Sequence, residues 1–74
     1  MELIQTTEQM AKSVLDSKKR IIKATKGEGI FKVNWININN HTCGLSSRKG
    51  HEFMANNEDL IFFIQVPKNA KTIY

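Results

Sequence analysis

The stretch Leu60-Ile61-Phe62-Phe63-Ile64-Gln65-Val66 decides the fold. Leu60, Phe62, Ile64 and Val66 alternate on one side. Ile61 and Phe63 make the other side apolar too, and only Gln65 is polar. A run of this kind reads as a central strand, covered by a helix on one face and by something else on the other. In a chain of 74 residues the second cover is expected from another subunit, so a homodimer is expected. Pro67 ends the strand, and residues 68–74 are expected to form a loose tail. A helix over residues 51–65 competes with this assignment, because Met54, Ala55, Glu58 and Leu60 are compatible with one.

Working back from this strand, Asn56-Asn57-Glu58-Asp59 turns the chain. Residues 41–46 and 51–55 form a hairpin around Ser47-Arg48-Lys49-Gly50. Residues 30–38 read as a strand in which Phe31, Val33 and Trp35 alternate with Lys32 and Asn34. Ile36 and Ile38 then fall on the opposite face. Either a bulge near Trp35 shifts the alternation, or both faces are partly covered there. Asn39-Asn40 is a turn signal.

Residues 7–25 read as an amphipathic helix. Thr6 caps it, with Gln9 completing a capping box. Leu3, Thr7, Met10, Val14, Ile21 and Thr25 fall on one stripe at helical spacing, widened by Ala11, Leu15 and Ile22. Glu8 is spaced to pair with Lys12, and Asp16 with Arg20. Gly27, or the pair Gly27 and Gly29, ends the helix and turns the chain. Leu3-Ile4-Gln5 is either its first turn or a short edge strand. The expected fold class is α+β: one N-terminal amphipathic helix packed on a small, mostly antiparallel sheet of three to four strands. Residues 1–74 form one domain.

Composition narrows the function classes. The 41% hydrophobic and 24% charged residues suit a globular chain rather than a disordered one. A single cysteine, Cys43, argues against a secreted disulfide scaffold and for a reducing, cytoplasmic setting. Met1-Glu2-Leu3-Ile4-Gln5 has no basic leader before an apolar run, so no signal peptide is expected, and no apolar run is long enough to span a bilayer. No membrane partner is therefore expected. Lys, Ile and Asn supply 25 of the 74 residues, and all three have AT-rich codons, which fits a low-GC bacterium, its phages or its plasmids. The net charge of +4 leans towards polyanionic partners.

Two basic features carry that lean. Lys12, Lys19, Lys23 and Lys26 line the outer face of the expected helix, with Arg20 on its flank, and such a stripe can track phosphates. The same stripe is also what the solvated face of an ordinary amphipathic helix looks like. Arg48 and Lys49, beside Ser46, Ser47 and Gly50, can hold an anion through side chains and exposed backbone N–H groups, or can simply form a solvated hairpin tip. Trp35 and Phe63 are the aromatic residues expected to reach the surface, where they would stack bases or anchor a protein interface.

His41, Cys43 and His51 are the only route to a metal site or a thiol enzyme. Their spacing matches no finger, a fourth ligand is missing, and a buried apolar role for Cys43 is the simpler expectation. The chain is therefore expected to be non-catalytic and to carry no metal or cofactor. It reads as a small basic regulatory domain that binds nucleic acid through backbone phosphates. The alternative is a protein-binding inhibitor or adaptor of the kind a phage or mobile element encodes, using an apolar sheet face against a host factor or an acidic protein surface.

Overall fold

The computed structural model describes residues 2–67. The chain forms β1 (Glu2–Thr6), α1 (Glu8–Ser17), β2 (Ile21–Lys26), β3 (Gly29–Asn37), β4 (Thr42–Ser46), β5 (Glu52–Asn56), a 3-10 turn at Asn57–Asp59, and β6 (Ile61–Val66). The strands make one antiparallel sheet in the order β1-β6-β2-β3-β4-β5. The fold is α+β with one α-helix among the described residues. Among the described residues six strands replace the three to four expected. Among the described residues no helix is long and apolar enough to cross a membrane. The expected tail, residues 68–74, lies outside the described residues.

The helix is the main correction. It spans ten residues, not residues 7–25. Thr7, rather than Thr6, is the N-cap: its Oγ1 accepts from Met10 N at 3.2 Å. At the other end Ser17 Oγ turns back to Val14 O at 2.9 Å. Lys18 then adopts the left-handed conformation, with φ 57°, and donates its N–H to Leu15 O. The β-branched pair Ile21-Ile22 opens a strand. Gly27 therefore ends no helix. It sits at φ 61° in the tight β2–β3 hairpin, where a residue lacking Cβ is unstrained. The expected ion pairs change as well. Lys12 binds Asp16 at 2.8 Å, and Glu8 faces His41 Nδ1 at 3.2 Å.

The strand and hairpin readings over residues 30–66 match the structure. Leu3-Ile4-Gln5 is an edge strand. Residues 51–65 hold strands and a short turn rather than an α-helix. The hairpin around residues 47–50 forms, and a register shift between Val33 and Trp35 is the bulge. β6 is central, flanked by β1 and β2, which therefore run parallel to each other with α1 linking them.

The inner face of the sheet carries the core. Phe62, Ile64 and Val66 of β6 and Ile22 and Ala24 of β2 meet Ala11 and Val14 of α1. Val33, Ile36, Cys43 and Leu45 extend the core beneath β3 and β4. The topology forces this sheet to roll. Unrolled, Asn56 and Ile61 would sit at opposite corners, four strand spacings and about seven residues apart, or roughly 30 Å. The link of residues 57–60 reaches at most about 18 Å. Rolling about the inner face brings Phe31 edge-on to Phe53 at 5.1 Å and Lys26 Nζ to 6.0 Å from the Phe53 ring.

Two stability outcomes follow. Lys18→Gly relieves the left-handed residue and raises unfolding free energy in urea by about 0.5–1 kcal/mol. Ile64→Ala, at a fully buried site, lowers it by about 3–4 kcal/mol.

Candidate nucleic-acid interface

Strand alternation decides which side chains lie outside the roll. Each inner residue has outward-facing neighbours, so the register places Gln5, Phe63, Lys23, Lys32, Ser46 and Glu52 in one unbroken row across all six strands. Lys23 and Lys32 are direct partners at its centre. Large apolar side chains flank the row: Leu3 and Ile21 on one side, Ile30 and Ile61 on the other, all between 41% and 50% exposed. Trp35 and Met54 continue the same face towards β5, at 42% and 68% exposed. A solvated antiparallel sheet normally turns polar residues outward. This one turns aliphatic and aromatic residues outward around a cationic centre.

Arg48 reaches the row from the β4–β5 turn. With Lys23, Ile30, Lys32, Ser46 and Ser47 it lines a depression of about 260 Å³. Among the described residues Lys23, Lys32 and Arg48 make no ion pair. Part of the turn's backbone is spent internally. Ser47 N binds His51 O, Gly50 N binds Ser47 O, and His51 N binds Ser47 Oγ. The N–H groups of Arg48 and Lys49 make no hydrogen bond among the described residues, so an anion here would meet them as well as the side chains.

The expected lysine stripe does not exist as a stripe, because the helix stops before it. Lys12 is on α1 and tied to Asp16. Lys19 and Arg20 lie in the α1–β2 turn, where Arg20 Nη1 donates to Lys19 O at 2.8 Å. Lys23 is on the outer row, whereas Lys26 ends β2 beside Phe53. Lys49 is exposed in the hairpin turn. Of the seven expected phosphate contacts, Lys23 and Arg48 come together. The residue that completes them, Lys32, carried a signal in the sequence, as the polar position of an alternating strand, but its partner across the register was not readable. Trp35 and Phe63 share the outer face, Phe63 half-buried beside Lys23.

The histidine and cysteine constellation is dispersed. Cys43 is fully buried in the core, and burial, reinforced by the nearby Glu8 carboxylate, pushes its thiol up to about 11. His41 faces Glu8, while His51 sits exposed in the hairpin turn. Among the described residues no three His, Cys, Asp or Glu side chains converge as metal ligands.

Native Cys43 is expected to react with a thiol reagent at pH 8 at least about a hundredfold more slowly than in the unfolded chain. The unfolded thiol ionises first, so its stabilising contribution is present below pH 9 and is lost between pH 9 and 11. Cys43→Ala should remove that part of the alkaline decline in melting temperature.

No protein-family model matches the chain, and no match is found among curated proteins or solved structures.

Proposed function

We propose that this protein is a non-catalytic binding domain that takes a single strand of nucleic acid on the outer face of its sheet. The observation that carries this is the Lys23–Lys32 pair. Two like charges directly opposite on neighbouring strands destabilise a sheet. Here they stand in the middle of an exposed face, without a carboxylate partner among the described residues, with Arg48 beside them. A phosphate bridging them removes that cost. The surrounding rings and aliphatic side chains supply surfaces on which unstacked bases rest, a combination that suits a single strand better than a duplex. The buried, protonated Cys43 and the dispersed histidines supply no nucleophile–base pair for the alternative of thiol chemistry.

A second reading is favoured by the four exposed aliphatic residues around the row: a protein partner docking on the same face. An acidic partner fits it better than a second copy of the chain, since a two-fold axis through the face would set the lysine pair against its own image.

Fluorescence anisotropy with a labelled mixed-sequence oligonucleotide separates the two. Three phosphate contacts give a log–log salt slope near −2. Lys23→Glu with Lys32→Glu should weaken binding by roughly tenfold or more, whereas the charge-matched Lys19→Glu with Lys26→Glu should cost far less. Equal losses in both pairs would mean that net charge alone is read. No binding by the native chain, with a protein complex lost on Phe63→Asp, would establish the second reading instead.

A further inference from the structure

Beside the cationic depression lies a second one, of about 280 Å³, lined by Asn34, Trp35, Gly44, Glu52, Phe53 and Met54. We propose that it is a nucleobase subsite that prefers cytosine and adenine, whose exocyclic amine stands where uracil carries a carbonyl, over uracil. The proposal rests on the nucleic-acid reading above and names the part of the face that would discriminate among bases.

Three features build the subsite. First, the indole of Trp35 is held in place by backbone. It lies face-on over Gly44, so that a Cβ at position 44 would come within 2.6 Å of Cε2 and 2.8 Å of Cδ1. One ring face rests on the strand and the other is left to solvent, a fixed platform that costs little ordering when a base stacks on it. Met54, directly across from Gly44 on β5, supplies an adaptable apolar wall. Second, the rim is rich in acceptors. Asn34 donates one of its two Nδ2 hydrogens to Ser46 Oγ at 2.6 Å, which leaves Oδ1 and one N–H, and Glu52, acceptor-only as a carboxylate, is exposed with no ion pair among the described residues. Acceptors of this kind take the N–H donors of an exocyclic amine and repel the carbonyl that uracil shows in its place. Third, the two depressions adjoin. The Asn34–Ser46 bond forms the ridge between them, with Asn34 lining one and Ser46 the other. A nucleotide can therefore rest its base on Trp35 and its phosphate against Lys32 and Arg48.

Trp35 is the only tryptophan, so intrinsic fluorescence reports on this ring alone. Titration with CMP or AMP should give saturable quenching, about fivefold tighter than with UMP. Glu52→Gln, an exposed change on an edge strand, should narrow that difference. Trp35→Ala should weaken binding of a cytosine-rich oligonucleotide about tenfold, and Trp35→Phe should restore part of it. Equal quenching by CMP and UMP, or none by either while oligonucleotide binding through Lys23 and Lys32 persists, overturns the subsite and leaves the broader reading in place. Failure of every oligonucleotide to bind overturns both. Quenching by arginine amide but not by nucleotides overturns the subsite in favour of a cationic side chain of a protein partner, held by Trp35 and Glu52.

Discussion

The structure depends on where β6 is inserted. Ile61–Val66 is the last strand among the described residues, yet it lies between β1 and β2, the two strands joined by the helix. Phe62, Ile64 and Val66 tie these neighbours together and give α1 something to pack on. Because β6 is reached from the far edge by only four residues, the sheet has to roll, and rolling turns one face into a core and the other into an exterior. A slip of one residue in β6 would exchange Phe62 and Ile64 for Ile61 and Phe63, exposing the core row. The register is therefore strongly specified. The outer row that contains Lys23, Lys32 and Phe63 is fixed by the same packing, not by any contact of its own.

One ten-residue helix can cover only one face of a sheet. A domain of this size usually makes the other face polar. Leaving Ile21, Ile30, Ile61, Trp35 and Met54 there, around two opposed lysines, breaks the local rules of sheet design in two ways at once. Local violations without a structural return are where function is expected. On the proposed reading, apolar surface and unneutralised charge on one face also narrow the partner's chemistry, because such a partner would offer both anions and flat or greasy groups. A single nucleic-acid strand offers both along its length. A folded acidic protein offers them only where an apolar patch is rimmed with carboxylates.

Much of this architecture was legible in the sequence. The two-sided apolar run of residues 60–66, the slip in alternation after Trp35 and the hairpin about Ser47–Gly50 each follow from local chemistry that the fold obeys. The helix end was not legible because two periods coincide. Val14, Ile21 and Thr25 continue the helical stripe, yet Ile21 to Lys26 also alternates as a strand, with Ile22 and Ala24 inside. Three cationic residues, Lys18-Lys19-Arg20, bridge the two segments without a glycine or proline to mark the break, and the left-handed turn falls on a lysine. β-branching at Ile21-Ile22 was the available signal. Losing those residues to a helix also hid a strand, and with it the partner of Lys32. Lys23 and Arg48 could be named from composition alone, but their convergence is a property of register, which one sequence does not display.

The bulge in β3 joins the core to the site. Val33 and Ile36 both have to point inward, against Leu45 and Cys43, although an odd spacing of three residues separates them. Regular alternation cannot satisfy both, so one extra residue is inserted and Asn34 and Trp35 together oppose Gly44. The result is two consecutive outward side chains, one polar and one aromatic, where a regular strand would have one. The crowding this creates is accommodated by the absence of a side chain at Gly44, which lets the indole lie on the backbone. The packing demand inside thus produces the proposed stacking platform outside. Restoring regular alternation would turn either Ile36 out of the core together with Trp35 off the face, or Val33 out of the core.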